Sequence, residues 1–112
     1  MISKKYRLTE RETKRVLHKW RPFFSYHIVL NYIPNRVWYS RFAIVIWSKS
    51  VNNNVERNFF RRKFFDIVFS HINREKNYDM VFVLKKQIKF DKKNIGSILS
   101  FEKDLNFLLN KI

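Results

Sequence analysis

The chain has 112 residues, the length of one ordinary domain, and carries 24 Lys and Arg against 9 Asp and Glu, a formal net charge of +15. A hydrophobic fraction of 46%, with twelve Phe, supplies enough apolar area for a core and excludes wholesale disorder. The absence of Cys excludes disulfides, thiolate zinc sites and a cysteine nucleophile, and points to a reducing, cytoplasmic setting.

A field of this strength calls for a polyanionic partner. Nucleic acid is the leading expectation, because every phosphate neutralised by Lys or Arg releases condensed counterions. No run of about 18 uncharged apolar residues occurs, so no spanning segment is expected. An anionic membrane surface, the main competitor, is not expected as the partner, because the Phe-rich face of the basic segment is better used against a sheet.

In chain order, residues 1–7 read as a flexible basic tail offering Lys4, Lys5 and Arg7 to RNA, ahead of a single domain that fills the rest of the chain. Thr9 followed by Glu12 reads as a capping box, and Val16, Leu17 and Trp20 form a short apolar stripe, which predicts a helix over 9–20 ended by Pro22. The alternation in S-Y-H-I-V-L-N-Y-I puts Tyr26, Ile28, Leu30 and Tyr32 on one face of a strand over 26–33. A turn at Pro34 and Asn35 then leads into a second strand over 37–48, antiparallel to the first.

Residues 51–73 change to a helical rhythm: Phe60, Phe64, Ile67 and His71 share one face, while Asn58, Arg61 and Phe65 lie on another with Arg57 and Arg62 at its margins. The helix is amphipathic with a basic outer side. A buried strand over 78–85 and a closing helix over 94–112, with Ile98, Phe101, Leu105, Leu108 and Ile112 in register, complete the chain. The expected order is helix, strand, strand, helix, strand, helix. The loop Lys85–Lys93 is the most charged connection.

The stretch R-F-A-I-V-I-W-S-K-S-V-N-N-N-V-E-R-N-F-F-R-R runs from a strand ending in Ser48 and Lys49 into the basic helix. It resembles the protein component of bacterial ribonuclease P, in which such a strand end precedes a helix carrying R-N-x-x-(K/R)-R, matched here by Arg57, Asn58, Arg61 and Arg62. The resemblance covers nearly the whole chain. Phe59 and Ser50 stand where the family often has basic residues, and the strand end is one residue longer, which suggests a bulge near Trp47. Thr13 and Leu17 occupy first-helix positions where the family commonly has aromatics facing a substrate cleft.

The resemblance implies a two-layer α/β (α+β) sandwich with a sheet of about four strands and a left-handed crossover around the basic helix. It also implies a role as RNA-binding cofactor to a catalytic RNA that removes 5′ leaders from precursor transfer RNA. Lys49, Arg57, Asn58, Arg61 and Arg62 would then contact the catalytic RNA, while Tyr26, Tyr32, Thr13 and Leu17 would line the path of the single-stranded leader. The partners are the catalytic RNA and precursor transfer RNA, with no obligatory protein partner. Magnesium ions belong to the catalytic RNA, and the protein alone holds no cofactor.

The nine acidic residues are scattered without a metal-ligand pattern, and His18, His27 and His71 stand alone. Spacing leaves a metal-free His acid–base pair open, but a lone His is more often a surface or core residue, so no catalytic residue and no metal site is expected in the protein. The alternative is a generic RNA-binding protein of ribosomal type. A small basic ribonuclease or toxin is a third class.

Overall fold

The structure, a computed structural model, describes residues 6–18, 21–25, 27–37, 39–47, 51, 53–70, 77–85 and 94–110. Among them lie three helices, α1 (Glu10–His18), α2 (Asn54–Ser70) and α3 (Ile95–Leu109), and four strands, β1 (Arg21–Phe24), β2 (Ile28–Pro34), β3 (Arg41–Val45) and β4 (Tyr78–Leu84).

Helix α1 starts as its sequence dictates. The Thr9 amide donates to Glu12 Oε1 (2.9 Å) and the Glu12 amide to Thr9 Oγ1 (3.2 Å), the reciprocal pair of a capping box. Strand β1 was not expected. Pro22, read as the end of the helix, sits inside it, and the strand pairs only with β2, so Pro22 lies on a sheet edge that tolerates a residue without an N–H.

The sheet order is β1-β2-β4-β3. Here the expected hairpin of the second and third strands gives way: β2 and β3 run antiparallel but do not pair, because β4 enters between them. It pairs antiparallel with β2, from Ile28↔Leu84 to Pro34↔Tyr78, and parallel with β3, from Arg41↔Asp79 to Val45↔Val83. The physical reason is that β4 is the most apolar strand, buried along most of its length, and a strand hidden on both faces needs a neighbour on each side. The β2–β3 connection therefore crosses the start of β4 and bonds to it, through the Asn35 amide to the Asn77 carbonyl (3.0 Å) and the Tyr78 amide to Ser40 Oγ (3.3 Å). Strand β3 ends at Val45, so Trp47, near which the bulge was expected, lies beyond it.

Alternation along β4 divides the core. Met80, Phe82 and Leu84 join Ile28, Leu30 and Phe42 beneath α2 and α3, where Phe64 meets Phe82 and Phe60 meets Phe101 with ring centroids 5.1 Å apart. Val81 turns the other way, packing with Ile33, Ala43 and Val16 of α1. Helices α2 and α3 over the sheet form the expected two layers, and α1 adds a thin third on the opposite face. Phe42, Phe60, Phe64, Phe82 and Phe101 are all fully buried, each contributing about 1.5–3 kcal/mol, which offsets the self-repulsion of a +15 chain. On α2 the buried positions are Phe60, Phe64 and Val68; Ile67 packs at the margin, and His71, like Ile112, lies outside the described residues.

Candidate nucleic-acid interface

Two hydrogen bonds fix the described residues ahead of α2. The amide of Val51, fully buried, donates to the Trp47 carbonyl (3.1 Å), and Asn53 caps α2 by accepting from the Glu56 amide at Oδ1 (2.9 Å). Arg57 turns back on this junction. Its Nη1 donates to the Val51 carbonyl (2.9 Å) and its Nη2 to Asn54 Oδ1, so the residue expected to face phosphate also holds the helix start in place.

One turn later the helix is open to solvent. Asn58, Arg61 and Arg62 are exposed and mutually braced, Arg61 Nη1 donating to Asn58 Oδ1 (3.1 Å) and Arg62 Nε to the Asn58 carbonyl (3.4 Å). Arg7 joins them from the N-terminal end. It forms a parallel bridge with Phe42, and the next amide, that of Leu8, donates to the Phe42 carbonyl (2.9 Å). With Phe65 and Asp66 these four residues line one open groove of about 520 Å³. Arg7 Nε is buried there without a hydrogen-bond partner among the described residues. Three guanidiniums against one carboxylate give the groove an excess of positive charge and planar donors whose geometry suits carboxylate or phosphate oxygens.

The residues expected along the leader path are not all brought together. Tyr32 stacks on Phe23 (centroids 5.4 Å, planes 8° apart) and meets Tyr78 edge-on at 5.3 Å, on the sheet face covered by α2 and α3. Its rim lines an open depression of about 780 Å³ that also takes in Arg15 of α1 and Arg36. Leu17 packs on the opposite sheet face beside Val16 and Ile33, and with Lys14 and His18 lines a shallow depression of about 310 Å³. The Thr13 hydroxyl donates to the Thr9 carbonyl (2.8 Å) within its own helix. Tyr26, Lys49, Lys4 and Lys5 lie outside the described residues.

Sequence reasoning missed two polar anchors. Arg41 bridges Asp79 and Glu12, joining β3, β4 and α1, and His27 Nδ1 meets Asp104 Oδ2 at 2.7 Å, joining the sheet to α3. The hydrogen bond from the Thr9 amide, with Arg41 beside it, holds the Glu12 carboxyl below the ordinary glutamate range, while the bonds to Asp79 raise the Arg41 guanidinium further. The signal of the Arg41 anchor in the sequence was an acid, Asp79, inside an otherwise apolar strand.

Among the described residues no three His, Asp or Glu side chains gather to hold a metal ion, and no helix is long and apolar enough to cross a membrane.

A strongly basic chain with a capped helix that exposes Asn58, Arg61 and Arg62 beside a mixed four-stranded sheet is, by class, a small α+β RNA-binding protein. The family model for ribonuclease P matches residues 2–112, and the chain belongs to that family. It is thus the RNA-binding protein cofactor of ribonuclease P, the endoribonuclease of transfer RNA processing, and is not itself the catalyst. The match sets aside the ribosomal-type reading. Its fold is that of the ribonuclease P protein from Thermotoga maritima (22% identity, 95% of this chain and 96% of that one covered, TM-score 0.73) and from Staphylococcus aureus (21%, 94% and 93%, TM-score 0.71). No curated protein sequence matches.

Proposed function

We propose that the groove formed by Arg7, Asn58, Arg61 and Arg62 is the contact with the catalytic RNA, and that the surface along α1 receives the single-stranded 5′ leader of precursor transfer RNA. The observation that carries the first part is the convergence of Arg7 with the α2 arginines across the chain. Arg61 and Arg62 pair with phosphates, Asn58 hydrogen-bonds to backbone or base edges, and Lys49, between β3 and α2 in the sequence, adds charge. Arg57 acts chiefly by fixing the helix start, through its bond to the Val51 carbonyl.

The leader runs from the depression shared by Tyr32 and Arg15 to that shared by Lys14, Leu17 and His18, with bases against Tyr32 and phosphates on Arg15 and Lys14. Tyr26 is assigned to this path as a second stacking ring, and the Thr13 oxygen offers it an acceptor. Magnesium ions remain with the catalytic RNA, and the complex works in the cytoplasm.

The test compares affinity for precursor transfer RNA with and without its leader. Wild-type holoenzyme should prefer the leader-bearing form, and Tyr32→Ala with Arg15→Ala should shrink the difference. An equal preference in wild type and variant removes the leader path.

A further inference from the structure

Phe24 and Phe107 are large apolar side chains left 63% and 49% exposed. One ends the edge strand β1 and the other lies on α3, far apart in sequence, yet both line a single open depression of about 580 Å³ together with Lys103, His27 and Asp104.

Its electrostatics are set by pairing. Helix α3 carries two acids, but Asp104 is held by His27 (2.7 Å) and Glu102 by Lys63 (2.7 Å). Lys103, exposed on the rim, has no acidic partner among the described residues. Of the two charged side chains Lys103 and Asp104 that line the depression, Lys103 is exposed and Asp104 buried. The depression thus presents a cation to solvent within a chain of +15, which opposes docking of a second copy and favours a polyanion.

Sheet order places β1 and β3 at opposite edges. Three strand spacings, about 14 Å, separate this depression from the edge where Arg7 bridges Phe42, so it does not continue the arginine groove.

We propose that the Phe24–Phe107 depression is a stacking site for unpaired bases of single-stranded RNA, with Lys103 on the adjoining phosphate. Two exposed rings beside an uncommitted cation are what a strand with splayed bases requires, since every base offers a π face and every linkage a charge. The inference rests on the reading of the chain as an RNA-binding cofactor and adds a second RNA contact at the far edge of the sheet.

The test is photo-crosslinking of the full chain to a single-stranded oligonucleotide carrying 5-iodouridine, with the modified peptides mapped by mass spectrometry. Crosslinks should fall on the peptides holding Phe24 and Phe107. Phe24→Leu with Phe107→Leu, which keeps apolar area but removes the rings, should abolish them and weaken oligonucleotide binding about fivefold or more per ring, while Tyr at both positions preserves binding. Crosslinks confined to other peptides, or unchanged affinity in the Leu variant, overturn the proposal. Unchanged affinity together with loss of self-association in sedimentation assigns the surface to a second copy instead. Wild-type protein that crosslinks through both rings but has no affinity for ribonuclease P RNA contradicts the contact proposed for the arginine groove and leaves the stacking site standing.

Discussion

Arg41 grips Asp79 through two parallel hydrogen bonds, Nε to Oδ1 and Nη2 to Oδ2, each 2.8 Å long. The pair spans the parallel β3–β4 contact, and Asn35 Nδ2 reaches the same Asp79 oxygen (2.8 Å) from the connection crossing the start of β4. A single carboxylate thus ties β4 to the chain on both sides. The Asp79 side chain is only 4% exposed, so its partners stand in for water.

Removing Arg41 leaves that carboxylate buried with Asn35 alone. Arg41→Ala should cost about 3–5 kcal/mol in urea unfolding, as for other broken buried pairs. A loss below about 1 kcal/mol would show that water reaches Asp79 freely.

Glu12 makes stability depend on pH. Its folded pKa lies below its unfolded value near 4.5, so the unfolded chain binds the proton more readily. The stabilisation is present above about 4.5 and is lost as pH falls through the lower folded value. Glu12→Gln should therefore narrow the stability gap between pH 7 and the acid limb. An acid limb as steep as that of wild type would contradict the assignment.

The arginines of α2 should separate by role. Arg61→Ala with Arg62→Ala removes two exposed cations, and should leave the thermal transition in place while lowering the salt slope of RNA binding by about one per lost phosphate contact. Arg57→Ala breaks the bond to the Val51 carbonyl and should lower stability by about 1–2 kcal/mol. Equal thermal losses in both variants would erase the distinction.

Salt gives a check on the whole interface. If six to ten phosphates are neutralised, raising salt from about 50 to 200 mM should weaken RNA binding by roughly 10³–10⁵. A slope near zero in filter binding would remove the electrostatic account.

What could be read in advance was local. The Thr9–Glu12 box, the Phe60–Phe64 face of α2 and the apolar strand at 78–84 follow from spacing and propensity, and all are present. Strand pairing was not legible, because alternation shows that 28–34 is extended without saying which segment lies beside it, and the partner arrives some fifty residues later. For the same reason Tyr32 could be assigned a face but not a side, and that face turned out to be the one under α2 and α3. The arginine motif was legible as a motif. That Arg7 completes its groove depends on a bridge to Phe42, which no periodicity encodes.

The most direct measurement follows cleavage of precursor transfer RNA by a bacterial ribonuclease P RNA at low magnesium, omitting each component in turn. The account predicts cleavage at the mature 5′ end only when both RNA and protein are present, with the Arg61→Ala, Arg62→Ala variant impaired. Cleavage by the protein alone, or no stimulation of the RNA by the protein, would contradict it.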